Sequence, residues 1–102
     1  MDYEVEWTES AVVGLLDAIE YIARDSPSYA ATLAVRAERA GASLSSLPDR
    51  GRRVTEFHDP DVRELQVGSY RLIYRVGSRR VWILAFVHKA RDLEGLLGNS
   101  SQ

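Results

Sequence analysis

Three consecutive segments with alternating apolar side chains, separated by two Gly-Ser pairs, constrain the fold of this chain more than any other feature. The segments cover about residues 62–67, 70–76 and 79–88, and the pairs are Gly68-Ser69 and Gly77-Ser78. Alternation with a period of two is typical of a half-buried strand, and a two-residue loop that begins with glycine is typical of a tight hairpin. The second half of the chain is therefore predicted to form an antiparallel meander.

Two-residue loops fix the register of the meander, because the side chains of a strand alternate between its faces. This register places Tyr74 opposite Val81 and Leu72 opposite Ile83. The face predicted to pack under helices carries Leu65, Val67, Tyr70, Leu72, Tyr74, Val81, Ile83, Ala85 and Val87. The opposite face carries Glu64, Gln66, Arg71, Ile73, Arg75, Arg80, Trp82, Leu84, Phe86 and His88.

The second of these faces contains an apolar strip flanked by arginines, formed by Ile73, Trp82, Leu84 and Phe86. Monomeric proteins seldom expose such a strip without a function. The strip is predicted to be a docking surface for a partner segment, with arginines that hold acidic or phosphate groups. The alternative is that a loop or the C-terminal segment of the chain itself covers it.

The first half of the chain predicts a strand followed by two helices. Residues 2–7 alternate, Thr8 is a candidate N-cap for a helix that ends near Arg24, and Ser26-Pro27 is typical of the start of a second helix, which Pro48 ends. Small residues on the second helix allow it to approach the first closely, so the two are expected to form a hairpin.

The fold class is therefore predicted to be α+β: an N-terminal strand and a two-helix hairpin packed on a C-terminal antiparallel meander of three to four strands. The possible fourth strand lies at residues 54–57. A chain of 102 residues is expected to form one domain. We assign that domain to residues 1–97 and a flexible tail to residues 98–102.

Composition indicates the compartment in which the chain is expected to work and the kinds of site that it is expected to lack. The chain has no cysteine, which fits a reducing compartment, and it shows neither a signal sequence nor an apolar run long enough for a membrane span. A cytoplasmic protein without a membrane partner is expected. His58 lies near Glu56, Asp59 and Asp61, but without a second histidine or a cysteine this pattern indicates an acidic turn, so no metal or cofactor is predicted.

Charge is distributed unevenly along the chain. Residues 1–49 carry a net charge of −6, and residues 50–102 carry a net charge of +4, with nine of their ten basic side chains being arginine. The planar guanidinium group suits carboxylate or phosphate partners. Binding residues are therefore expected in the second half.

Three short stretches resemble the RelE/ParE family of toxins. They are Arg63-Glu64-Leu65, residues 70–76 (Tyr-Arg-Leu-Ile-Tyr-Arg-Val) and residues 87–91 (Val-His-Lys-Ala-Arg). Trp7, Tyr21-Ile22-Ala23 and Ser26-Pro27 agree with the same family. The resemblance covers about residues 3–97, nearly the whole chain.

This resemblance implies a toxin of a bacterial type II toxin–antitoxin system. Such a toxin arrests growth and is neutralised by a cognate antitoxin encoded by an adjacent gene. In this family a segment of the antitoxin that is otherwise disordered typically wraps the toxin, which would cover the apolar strip. Operator DNA is bound through the antitoxin, so direct DNA recognition by this chain is not implied.

The resemblance leaves two mechanisms to compare. The RelE branch cuts messenger RNA in the ribosome, which requires cations at the phosphate and a group that moves a proton. Two active-site arginines of that branch match Arg71 and Arg91, and His88 is a further candidate. The ParE branch lacks the catalytic set and acts by binding DNA gyrase and stalling it with the DNA cut.

The remaining catalytic positions of the RelE branch do not match. Its two lysines fall at Val62 and Glu64, and its C-terminal tyrosine falls at Leu97. A carboxylate at residue 64 would oppose an approaching phosphate. The chain is therefore predicted to be closer to the ParE branch and to inhibit gyrase, with a ribosome-dependent endoribonuclease or a non-toxic interaction module as alternatives.

No catalytic residue is assigned with this reading, and a nuclease would depend on Arg71, Arg91 and His88. The residues predicted to bind the antitoxin or the target are Arg71, Arg75, Arg80, Trp82, Leu84, Phe86, His88 and Arg91.

Overall fold

The computed structural model describes residues 2–91 and residue 93. Its elements are β1 (Glu4–Trp7), α1 (Glu9–Ala23), α2 (Pro27–Ser43), β2 (Arg52–Arg53), β3 (Val62–Val67), β4 (Tyr70–Val76) and β5 (Arg80–His88). The predicted α+β class is confirmed. The proposed tail, residues 98–102, lies outside the described residues. Within the described part of the chain, neither helix is long and apolar enough to cross a membrane.

The strands form a single mixed sheet in the order β1-β5-β4-β3-β2. The sheet differs in two ways from the predicted meander of three to four strands. The N-terminal strand joins the sheet, because β1 pairs in parallel with the first half of β5. The short strand before β3 is Arg52–Arg53 and not residues 54–57, because the backbone turns at residues 55–58, where the Phe57 amide donates to the Val54 carbonyl at 3.1 Å.

Both helices begin where the capping residues predict. The Thr8 side chain accepts a hydrogen bond from the Ala11 amide at 3.2 Å, and the Ser26 side chain accepts one from the Tyr29 amide at 3.2 Å. Pro27 occupies the first turn of α2, where its missing N–H costs nothing. The second helix ends at Ser43, earlier than Pro48, because residues 44–46 form a turn.

The first hairpin has the predicted register, with Val67 opposite Tyr70 and Gly68 at a φ of 60°. The second hairpin does not. Its loop is Ser78-Arg79, with Arg79 at a φ of 66°, and the Gly77 amide donates to the Arg80 carbonyl at 2.7 Å. The predicted pairing there is wrong by two residues along β5.

A β-bulge in β5 changes which side chains share a face. Tyr74 pairs with Ile83, but Ile73 pairs with Ala85, so Leu84 is an extra residue without a partner in the register. Past this bulge the faces of β5 are exchanged relative to the prediction. Phe86 therefore lies on the helix side of the sheet.

Two clusters of buried side chains hold the sheet, one on each face. The larger lies under the helices and includes Leu33, Leu72, Tyr74, Ile83 and Phe86. The smaller lies on the other face and consists of Val54, Val62, Ile73, Ala85 and Leu93, with Phe57 and Val87 packed against it. The second cluster exists because the segment after β2 and residue 93 cover the middle of that face.

The continuous apolar strip predicted for the open face is therefore wrong. Phe86 is 2% exposed in the larger cluster, and Ile73 is 0% exposed beneath Val54 and Leu93. For Ile73, the alternative of cover by the chain itself is confirmed. Trp82 stays on the open face with 36% of its surface exposed.

The first helix packs closely on the half of β5 that β1 does not reach. A Cβ added at Gly14 would lie 2.4 Å from the Phe86 carbonyl oxygen, so only glycine permits this approach. The backbone of α1 thus covers part of the edge of β5, which otherwise would offer unpaired groups to another strand.

Candidate functional site

Two cavities on the described surface contain most of the residues singled out from the sequence. The first, which we call the α1–β5 groove, has a volume of about 590 Å³ and runs between α1 and the C-terminal half of β5. Gly14, Ala18 and Phe86 are among the residues that line it. The groove forms because β1 pairs with β5 only as far as Ile83, leaving α1 as the neighbour of residues 84–88.

The α1–β5 groove has walls of opposite charge. Glu9 and Asp17 line it from α1, whereas the guanidinium of Arg91 lines it just past the end of β5. His88, the last residue of β5, lines it too. Such polarity favours a ligand with a basic group on one side and an acidic group on the other.

Aromatic rings stiffen one end of the groove. The ring of Tyr70 stacks on Phe86 with centroids 5.3 Å apart, and His88 contacts the same tyrosine edge-on at 5.4 Å. Burial raises the pKa of Tyr70, and the nearby Tyr21 and Tyr29 act in the same direction. Its hydroxyl group therefore stays protonated at neutral pH and offers the groove a neutral hydrogen-bonding group.

The second cavity, which we call the cationic cavity, has a volume of about 570 Å³ on the open face beside β2. The charged residues that line it are Arg50, Arg52, Arg53, Glu56, Glu64, Arg71 and Lys89. Five cations and two carboxylates give its lining a net charge of +3.

Glu64 is the buried centre of an ion-pair network in the cationic cavity. Its side chain is 6% exposed and accepts hydrogen bonds from Nε of Arg52 at 2.7 Å and from Nε of Arg71. The two terminal nitrogens of Arg71 lie 3.3 and 3.4 Å from the carboxylate of Glu56. Arg71, itself only 12% exposed, is thus bound to two carboxylates.

Electrostatics favour the charged forms of Arg71 and Glu56 in this network. Burial would lower the pKa of Arg71, but its hydrogen bonds to Glu64 and Glu56 outweigh that effect and raise the pKa above its ordinary value. The hydrogen bond from Arg71 is the main cause that lowers the pKa of Glu56. A protonated Arg71 and an ionised Glu56 therefore stabilise each other at neutral pH.

The other arginines of the open face also form ion pairs. Arg75 lies 3.2 Å from Asp59, and Arg80 lies 2.8 Å from both Glu4 and Glu6. The guanidinium of Arg80 also lies over the ring of Trp82, 5.9 Å from its centroid. These exposed pairs orient the arginines and contribute little to stability.

The structure does not bring the predicted site residues together. Arg71 lines the cationic cavity, whereas His88 and Arg91 line the α1–β5 groove. Leu84 and Phe86 also line the groove. The remaining predicted residues, Arg75, Arg80 and Trp82, line neither cavity. The binding role assigned to each of these residues stays a prediction.

Sequence reasoning missed most of the residues that line each cavity. It did not assign Gly14 or Asp17 to a site, because a helix was expected to present only its apolar stripe to the sheet. It also passed over Arg52 and Arg53, although two adjacent arginines just after a glycine are a signal for an exposed cationic segment.

Comparison of the fold with solved structures identifies the class of protein. The structure matches the "chromosomal ParDE TA system from P. aeruginosa" with a TM-score of 0.70 and 18% identity, covering 84% of this chain and 95% of that chain. It matches the toxin–antitoxin complex RelBE2 from Mycobacterium tuberculosis with a TM-score of 0.58 and 26% identity, covering 86% and 99% of the two chains. The fold is that of type II toxins of the ParE/RelE kind.

The sequence itself gives the family. Residues 5–93 match the family of the ParE toxin of the type II toxin–antitoxin system parDE. No curated protein sequence matches the chain significantly. The chain belongs to the ParE toxin family, and the resemblance noted in its sequence is confirmed.

Proposed function

We propose that this ParE-family toxin arrests growth by binding DNA gyrase and stalling it with the DNA cut, and that it does not cut messenger RNA. One observation carries the choice: the three residues on which nuclease chemistry would depend line two different cavities, Arg71 in one and His88 and Arg91 in the other. A general acid or base must lie within hydrogen-bonding reach of the reacting group. His88 is therefore not placed to act as a general acid or base on a phosphate bound at Arg71.

The state of Arg71 supports the same proposal. A catalytic cation stabilises charge that develops on a phosphate, so it needs donors that are free to reach the substrate. Arg71 directs Nε to Glu64 and its terminal nitrogens to Glu56. Its role is therefore to hold the open face of the sheet together, and the chain acts as an inhibitor and not as an enzyme.

The partner that neutralises the toxin is a cognate antitoxin encoded by an adjacent gene. The proposal draws on the two similar structures, which are described as toxin–antitoxin systems. We assign the antitoxin segment to the α1–β5 groove, where apolar side chains contact Leu84 and the half-exposed Val13 and an acidic side chain reaches Arg91. Operator DNA is recognised through the antitoxin. The proposed place of action is the cytoplasm, where gyrase works.

Induction of the chain in a bacterial host, alone and together with the product of the adjacent gene, tests the proposal. We expect growth arrest with chromosomal DNA breaks that carry covalently attached gyrase, and recovery when the neighbouring gene is expressed. Mapping of messenger-RNA ends in the same cells is the parallel measurement. New RNA ends within translated codons, without gyrase-linked breaks, would indicate the nuclease, and harmless induction of folded protein would indicate an interaction module.

A further inference from the structure

The cationic cavity has more positive charge than its own carboxylates neutralise. Glu64 and Glu56 are already bound to Arg71 and Arg52. Because Glu64 is 6% exposed and lies against two guanidinium groups, it presents little negative potential to the solvent. From the sequence, the carboxylate of Glu64 was expected to oppose a phosphate at this place. In the folded chain the two guanidinium groups shield it.

Besides Arg50, which donates one terminal nitrogen to the Ser43 hydroxyl, three cations of the cavity keep hydrogen-bond donors for a ligand. Arg52 is 79% exposed and uses Nε for Glu64, which leaves its terminal nitrogens. Arg53 and Lys89 are exposed, and in residues 2–91 and 93 no carboxylate forms an ion pair with either side chain. All three line the same cavity. An anion that enters it would meet converging charges without breaking an internal contact.

The rest of the lining indicates which anion fits. The uncharged residues of the cavity are Gly51, Thr55, Leu65 and Gln66, so the described lining has no aromatic ring. Unstacked bases of single-stranded nucleic acids are bound mainly on aromatic side chains. A double helix instead presents phosphates on a regular backbone with its bases stacked inside, and arginine and lysine bind these phosphates without reading sequence.

We propose that the cationic cavity binds the phosphate backbone of double-stranded DNA through Arg52, Arg53 and Lys89. The net charge of +3 on the cavity lining attracts a polyanion to this place. The contact is independent of sequence and distinct from recognition of an operator through the antitoxin. It goes beyond the proposed function and is tested without gyrase.

Fluorescence anisotropy of a labelled duplex of about 20 base pairs, titrated with the purified chain at several salt concentrations, measures the contact. With three phosphates neutralised, the affinity should fall about 40-fold between 50 and 200 mM salt, a slope of about −2.7 in log–log form. The variant Arg53→Gln/Lys89→Gln should bind at least about tenfold more weakly at low salt, with the slope reduced by about 2. Thermal unfolding checks that the variant is folded.

The variant Arg36→Gln/Arg39→Gln is the matched control, because it removes the same charge from exposed positions of α2, outside the cavity. It should bind DNA with nearly the affinity of the parent chain. Equal losses in both variants would overturn the proposal, since the effect would then come from overall charge. Absence of binding at low salt, or tighter binding of single-stranded RNA of the same length, would also overturn it. None of these three results bears on whether the chain inhibits gyrase.

Discussion

The carboxylate of Glu64 accepts a hydrogen bond from the Nε of Arg71 across the open face of the sheet, and both side chains are almost buried. This pair joins β3 to β4 and extends through Arg52 to the edge strand β2. Together with the contact to Glu56, the pair directs Nε and both terminal nitrogens of Arg71 to carboxylates. The contact thus joins neighbouring strands, and the proposed function gives Arg71 this structural role.

Substitution Glu64→Gln should destabilise the chain by about 2–4 kcal/mol, because it leaves Arg71 without its most buried acceptor. Urea unfolding at neutral pH measures the change. The double variant Glu64→Gln/Arg71→Gln should lose clearly less than the sum of the two single variants, as expected for partners in contact. Additive losses would show that the two side chains are not coupled.

The ion pair of Glu56 with Arg71 should make stability depend on acid pH. The pKa of Glu56 is lower in the folded chain than its ordinary value of 4.5, so its contribution is present above that value and is lost as the pH falls through the folded pKa. The carboxylate is 36% exposed, so solvent screening keeps the effect below about 1 kcal/mol.

Unfolding of Glu56→Gln at pH 7 and at low pH measures this contribution. The variant should lose stability at pH 7 and little at low pH, relative to the parent chain. Glu38→Gln, at an exposed position of α2 that forms no ion pair with the described residues, is the control and should leave the pH dependence unchanged. A larger loss for Glu56→Gln in acid than at pH 7 would reverse the predicted sign.

Gly14→Ala should destabilise the chain by about 1–3 kcal/mol, because the new methyl group would meet the Phe86 carbonyl at 2.4 Å. Intrinsic helix propensity predicts the opposite sign, a gain of up to about 1 kcal/mol. The sign of the change in the free energy of unfolding therefore shows whether α1 packs closely on β5 or leaves room for a side chain at residue 14. A stabilised variant would mean that α1 lies farther from the strand.

Phe86→Ala and Trp82→Ala should differ strongly, although the alternation of the sequence assigns both residues to one face. Phe86 is 2% exposed in the main core, so its truncation should cost about 3–5 kcal/mol. Trp82 is 36% exposed, so its truncation should reduce the free energy of unfolding clearly less than that of Phe86. Denaturant unfolding of the two variants compares these costs. Similar losses would contradict the exchange of faces at the bulge.

The sequence predicted those features that depend on local chemistry. Thr8 and Ser26 cap their helices because their side chains reach nearby amides, and Gly68 permits the first hairpin because it adopts a positive φ. The partner of β1 could not be predicted, since alternation identifies a strand but not its neighbour. The family, read from short stretches in β3, β4 and β5, was predicted because it needed only order and spacing.

The second hairpin and the candidate site depend on contacts between distant residues. Arg79 adopts a positive φ that a glycine would adopt more readily, so the loop was predicted one position too early. The extra residue Leu84 lies just past Ile83, whose carbonyl accepts hydrogen bonds from the Thr8 amide and hydroxyl, a contact that alternation does not reveal. As a result Phe86 and His88 lie on the helix side, and the predicted binding residues are divided between two cavities and the surface outside them.

The most direct test of the account is a supercoiling and cleavage reaction with purified gyrase, plasmid DNA, ATP and the purified chain. If the chain stalls gyrase by binding it, supercoiling should stop, and linear plasmid with covalently attached gyrase should accumulate in proportion to the amount of toxin added. Unaffected gyrase, together with cleavage of messenger RNA when the same preparation is added to translating ribosomes, would contradict it.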